Sequence, residues 1–190
     1  MSEQSIRETV SHLPKGLVRH VQRVKEISVE LAKVHGVDVQ RAELAAESHD
    51  IARAYNSADI LRMARSFGLG VTKLDEAVPM FLHGQVAAEL LKRDHDIHDQ
   101  EVLDAVRYHT TGRGQMTALD KVLFLADKLD PGKGKRYPFI PEVMNVARKD
   151  IDDALLALID RHLAMFIEHG QVVHPQMVEL RNFLLLDRKG

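Results

Sequence analysis

The chain has 190 residues, 45% of them apolar, enough to bury one hydrophobic core and close to the usual size of one domain. A net charge of -2 and a pI near 6.6 leave no basic footprint for nucleic acid. The lack of cysteine excludes disulfides, thiolate metal ligands and a cysteine nucleophile, so any metal must be held by nitrogen and oxygen.

Apolar residues recur at helical spacing through most of the chain, as in Leu17, Val21, Val24, Ile27 and Leu31, and strand-like alternation is nearly absent. Breakers at Pro14, Gly36, Gly68, Gly70, Gly112, Gly114, Pro131 to Pro141 and Gly170 to Pro175 separate the stripes. The spacing predicts helices over about 3–11, 15–35, 38–54, 57–67, 75–94, 99–110, 117–130, 140–169 and 175–187. Asp38 and Ser57 are expected as N-caps, because their short side chains can accept from free first-turn N–H groups. Gly132-Lys133-Gly134-Lys135-Arg136 reads as a flexible basic loop. The expected fold is all-α, a helical bundle forming one domain over 1–190, with a core at about 15–131 and C-terminal helices over 140–188 packed on it. Met1-Ser2-Glu3-Gln4 does not open a signal peptide and no run of about eighteen apolar residues predicts a membrane span. A cytoplasmic protein is expected, with neither membrane nor nucleic acid as partner.

The chain has eleven histidines. A lone helical histidine is ordinarily a surface group or a hydrogen-bonded core residue, and His12, His35, His95, His98 and His162 are read that way. His49-Asp50 differs, because it sets two costly polar groups among Leu44, Ala45, Ala46, Ile51 and Ala52. Buried imidazole and carboxylate groups need partners, and a divalent cation satisfies several together. His20, among Leu17, Val18 and Val21, and Asp127, which ends the apolar run from Val122 to Ala126, are of the same kind.

In this order, His20, His49-Asp50 and Asp127 resemble the H…HD…D signature of the HD-domain superfamily of phosphohydrolases. His83 in Phe81-Leu82-His83-Gly84 and His109 in Tyr108-His109-Thr110-Thr111-Gly112 bring the candidate ligands to six. Six exceed what one ion with an open position needs, so two divalent ions sharing Asp50 as a bridge are expected. His20, His49, Asp50 and Asp127 are assigned to the first ion, and Asp50, His83 and His109 to the second. From Arg19 to about Leu186 the chain is similar to the YqeK family of bacterial HD-domain symmetrical bis(5'-nucleosyl)-tetraphosphatases. The stretches that carry the likeness are His49-Asp50-Ile51-Ala52-Arg53, Leu82-His83-Gly84, His109-Thr110-Thr111-Gly112, Ala126 to Pro131, Val173-His174-Pro175 and Arg181-Asn182. The resemblance implies iron in both positions, although the same ligands suit Mn²⁺ or Zn²⁺. It further implies that diadenosine tetraphosphate is split into two ADP and that the C-terminal helices close the nucleotide site. The expected partner is thus a small nucleotide, with a homodimer left open.

Two cations flanking one oxygen lower the pKa of bound water, which supplies a hydroxide nucleophile without a side-chain base. Developing charge on the phosphoryl oxygens calls for fixed cations. Arg53, one turn after His49-Asp50, is the first candidate, grouped with Asp50 as catalytic, and Arg23, three residues after His20, the next; both also fit an ordinary solvated face. Thr110 and Thr111 are candidates for phosphate contact or are turn formers. The family carries an acidic residue, a proline and a nearby arginine after its last ligand. Here Asp130-Pro131 is followed by Lys133, Lys135 and Arg136, of which Lys133 and Arg136 are taken as phosphate contacts; a lysine lacks arginine's two-pronged fork. Gly170, Val172 and His174 are expected, on the resemblance, to hold the nucleoside. Rival readings are an HD phosphohydrolase for another nucleotide, such as a deoxynucleotide, alarmone or cyclic dinucleotide, a non-catalytic nucleotide-binding regulator, and an all-helical scaffold whose buried histidines only hydrogen-bond.

Overall fold

The computed structural model describes residues 2–187; Met1 and residues 188–190, which the sequence reading included in the bundle, lie outside the described residues. Among the described residues there are eleven α-helices and no strand. They are α1 (Ser2–Ser11), α2 (Lys15–His35), α3 (Val39–Ser48), α4 (Ser57–Ser66), α5 (Lys73–Ala77), α6 (His83–Asp94), α7 (Gln100–Tyr108), α8 (Ala118–Lys128), α9 (Ile140–Ala147), α10 (Ile151–Glu168) and α11 (Pro175–Asp187). Single 3-10 turns occupy Pro79–Leu82 and Pro131–Lys133.

One apolar core runs from Ile6 in α1 to Leu184 in α11. α8 is its centre: Leu119, Val122, Leu123, Phe124, Leu125 and Ala126 are all buried, and a helix apolar on every side belongs inside. α2 packs on α3 and α8, α7 on α6 and α8, and α10 on α8 and α9. α2 turns Val21, Val24, Leu31 and Ala32 inward, and His20 shares that buried face. No helix among the described residues is long and apolar enough to cross a membrane.

Several expected boundaries move, each for a local reason. The helix expected over 38–54 stops at Ser48, and residues 49–54 tighten into turns closed by Ile51 N–H to Ser48 C=O and Arg53 N–H to Asp50 C=O. The helix expected over 75–94 is broken because Pro79 has no N–H to donate, leaving α5, a 3-10 turn and α6. The one expected over 140–169 is two, because Asp150 caps the N–H groups of Asp152 and Asp153 and starts α10 afresh. Asp38 caps α3 as expected, but α4 is capped by Asn56, and Ser57 is its first helical residue.

Candidate metal centre

His20 reaches the centre from within α2; the other candidate ligands leave from helix ends. His49 caps the end of α3 and Asp50 follows it, His83 opens α6, His109 caps the end of α7, and Asp127 lies in the last turn of α8. α6 and α7 meet closely at Gly84, where an added Cβ would lie 2.8 Å from Val106 O and 2.9 Å from Arg107 O. That approach sets His83 Nε2 3.0 Å from His109 Nε2. All six side chains are buried.

Asp50 stands between two groups of imidazoles and gives one oxygen to each. Its Oδ2 lies 3.5 Å from both His20 Nε2 and His49 Nε2, while its Oδ1 lies 3.1 Å from His83 Nε2 and 3.7 Å from His109 Nε2. The donor atoms of His20, His49 and Asp50 fall within 4.8 Å of one another, as do those of Asp50, His83 and His109. Asp127 adjoins the first group, its Oδ1 3.1 Å from His20 Nε2 and 4.0 Å from His49 Nε2.

The outward ring nitrogens decide what the inward ones offer. His49, His83 and His109 each donate from Nδ1 to the carbonyl three residues earlier, Ala46 O at 2.8 Å, Met80 O at 2.6 Å and Val106 O at 2.7 Å. A carbonyl only accepts, so Nδ1 carries a proton, and a ring in that tautomer turns its Nε2 lone pair inward. Burial pushes the pKa of His49 down and that of His109 to about 3, which keeps both rings neutral. Lone pairs gathered on facing nitrogens repel unless a cation sits among them. Asp50 is desolvated, yet a proton entering the group goes to His49, His109 or His83 before it goes to the carboxyl, which is thereby held well below the usual range and stays an anion. The donor set therefore fits divalent cations: neutral imidazole nitrogens, a shared carboxylate and no thiolate.

His20 differs. Burial opposes its charge, but hydrogen bonds with Asp127 and Asp130 outweigh burial and raise its pKa to about 9. Asp130 Oδ2 accepts from its Nδ1 at 2.6 Å, the carboxylate–histidine arrangement that orients a metal ligand from behind. Asp130 is 2% exposed and was missed as a site residue in the sequence, although it sits beside Pro131 in a stretch singled out there. It also takes Arg23, whose Nε and Nη2 pair with both its oxygens. Arg23, expected to bind phosphate, is thus a partner of Asp130, and its guanidinium lies over Gly132, where an added Cβ would collide with it.

Two lysines hold Asp127. Lys128 Nζ donates to Asp127 Oδ2 and to His109 O, both at 2.7 Å, and Lys133 Nζ donates to Asp127 Oδ1 and O, again at 2.7 Å. Lys128 was not picked out in the sequence, since a lysine on an apolar helix usually reaches solvent; this one lies over the Phe124 ring instead.

The centre opens into a cavity of about 710 Å³ lined by His20, Asp50, His83, His109 and Asp127 on one side. Arg53, Lys128, Lys133, Lys135 and Arg136 supply cations, and Met80, Phe81, Tyr137, Phe166 and Met177 supply apolar surface. Thr110 lines it, with its hydroxyl 3.1 Å from His109 Nε2 and 3.3 Å from His83 Nε2. Thr111, the other candidate phosphate contact, is buried and donates to Gln176 Oε1 at 2.7 Å, which ties α11 to the end of α7. Gly170 and Val172 do not line the cavity: Gly170 takes a φ of +61° just past the end of α10, and Val172 is 51% exposed. His174 packs edge-on against the lining Phe81, with centroids 5.0 Å apart.

An all-helical scaffold that gathers four histidines and two aspartates into buried groups able to hold metal ions, beside a basic cavity, fits the class of metal-dependent proteins. The chain belongs to the HD domain family, whose pattern matches residues 17–132. It is 31% identical to a symmetrical bis(5'-nucleosyl)-tetraphosphatase of Halalkalibacterium halodurans, over 94% of both chains. It is 32% identical to the protein of the same name in Bacillus subtilis, over 87% of this chain and 88% of that one. A solved structure from Clostridium acetobutylicum, described as a predicted HD superfamily hydrolase involved in NAD metabolism, superposes with a TM-score of 0.93 at 28% identity, covering 98% of each chain.

Proposed function

We propose that this chain hydrolyses diadenosine tetraphosphate and related dinucleoside polyphosphates symmetrically, giving two ADP. The observation that carries the reading is the division of Asp50 between two imidazole groups beside a basic cavity, an arrangement suited to two adjacent cations. The names of the relatives support the choice of substrate.

His20, His49, Asp50 and the adjoining Asp127 would hold one ion, and Asp50, His83 and His109 the other. Bound there, divalent cations supply the Lewis acidity that polarises a phosphoryl oxygen and activates water. We take both ions to be iron, with Mn²⁺ or Zn²⁺ compatible with the same donors. The residues of the chain do the rest. Asp50 keeps its charge and fixes the distance between the two groups. Asp130 holds His20 in one orientation. Arg53, Lys133 and Arg136 draw in the polyphosphate bridge and neutralise it, with Lys133 giving up part of its hold on Asp127. The Thr110 hydroxyl stands where it can donate to a phosphoryl oxygen. Residues 15–131 form the catalytic core of one domain, and the helices over 140–187 close the nucleotide side of the cavity, excluding bulk water. The protein works in the cytoplasm on a free nucleotide.

The test is anaerobic incubation of the iron-reconstituted protein with diadenosine tetraphosphate, followed by chromatography, with Asp50→Ala alongside. ADP as sole product, absent in the variant, is expected. ATP with AMP, or no turnover by protein that demonstrably holds metal, overturns the substrate assignment.

A further inference from the structure

We infer that Tyr137, His162 and Phe166 form a nucleobase subsite, in which His162 hydrogen-bonds the base edge and the flanking rings hold its faces. The inference deepens the proposed function and rests on it for the identity of the ligand as a nucleotide. It stands on the arrangement of these rings and on one orphaned atom.

The chain is poor in aromatic residues, with three tyrosines and six phenylalanines. Tyr137, Phe139 and Phe166 nevertheless meet around one imidazole. His162 lies 4.9 Å from Tyr137, 5.6 Å from Phe139 and 5.6 Å from Phe166, the last nearly parallel at 23°. His162 and Phe166 are four residues apart on α10 and so share one face of it. Packing alone does not explain the group. Tyr137 and Phe166 are only half-buried, and with His162 they line the same cavity as the candidate metal ligands. A wall of half-exposed rings beside Lys133, Lys135 and Arg136 is the combination that takes a planar base at one end of a polyphosphate.

His162 is 2% exposed, and its Nε2 has no hydrogen-bond partner. A buried polar atom without a partner is disfavoured, and an apolar ring of similar shape would fill the space at less cost. Burial, with Lys128 and Lys133 nearby, pushes the pKa of His162 down to about 4, so the ring is neutral near pH 7. A neutral imidazole carries one donor and one acceptor, the same two kinds of group that alternate along the edge of a purine. A base seated against Tyr137 and Phe166, with the rings parting to admit its edge, gives Nε2 the partner it lacks.

The experiment titrates the metal-loaded full chain with ADP and, separately, with pyrophosphate, which carries the charge but no base, in a calorimeter. Wild type is expected to prefer ADP. His162→Phe, which keeps the ring and removes its nitrogens, should weaken ADP binding about tenfold and leave pyrophosphate unchanged, and Tyr137→Ala should weaken ADP by a similar factor through lost stacking. Thermal melts establish that each variant is folded; should His162→Phe fail to fold, Tyr137→Ala and Phe166→Leu decide. Parallel loss of ADP and pyrophosphate, no loss of either, or a wild type without preference for ADP each overturns the subsite. If the ADP-selective loss is found while diadenosine tetraphosphate is not turned over, the subsite stands and the proposed reaction fails.

Discussion

Replacing Gly84 by alanine separates two physical effects of opposite sign. Within a helix the change ordinarily stabilises by up to about 1 kcal/mol, because alanine has less backbone freedom to lose. Here the new methyl would lie 2.8 Å from Val106 O, 2.9 Å from Arg107 O and 3.1 Å from His109 Nδ1. Two of these neighbours are backbone of α7, which cannot rotate away, so α6 and α7 must move apart. Overpacking of this kind costs about 1–3 kcal/mol and exceeds the helical gain. For a chain of this size the melting temperature should fall by roughly 2–8 °C. The displacement also pulls His83 away from His109, which now stand 3.0 Å apart at Nε2, so the second cation position should weaken. Gly16→Ala is the control, since nothing lies within 4 Å of a Cβ there, and it should melt at or slightly above wild type. The assay pairs thermal melts of metal-free and metal-loaded protein with metal content by atomic emission. A Gly84→Ala protein that melts as high as wild type and keeps its full metal content refutes the reasoning.

Asp130→Asn removes the negative charge shared by His20 and Arg23 and leaves one amide oxygen to accept where two carboxylate oxygens did; competition with a chelator should show metal affinity falling by about 10- to 100-fold, with the melting temperature of the metal-free protein changing less. Lys128→Met strips Asp127 of one of its two lysines while Lys133 and His20 remain, which should cost about 1–3 kcal/mol in chelator-treated protein and clearly less once divalent cations restore positive charge. Equal losses in both states would count against metal near Asp127. His162 carries a pKa of about 4 when folded against 6.5 in the open chain, so as pH falls the unfolded state takes the proton first. Its contribution is intact above pH 6.5 and lost on descending towards pH 4, by up to about 3 kcal/mol. His162→Phe should therefore lose less stability than wild type between pH 7 and pH 4 in denaturant titrations, and parallel pH curves would show that His162 is not buried neutral.

Much of this protein is legible in its residues taken in order. Helical periodicity and the near-absence of alternation dictate an all-helical chain, because burial of one face per element is a local requirement. His49-Asp50, His20 and Asp127 stand out because polar groups in apolar surroundings need partners wherever the chain takes them. Other features are decided by proximity between residues distant in sequence, which no local pattern encodes. Asp130 matters because the fold brings it under His20 and Arg23, more than a hundred positions earlier. Arg23 is turned from the expected phosphate contact into a partner of that carboxylate, and Thr111 is bound to Gln176, by the same kind of long-range contact. Pro79 and Asp150 are local signals for broken helices that the apolar periodicity on either side of them obscures. His162 looked ordinary for a different reason. A histidine on an apolar face is usually satisfied by a neighbour, and only the three-dimensional packing leaves its Nε2 without one while ringing it with aromatic side chains at the cavity.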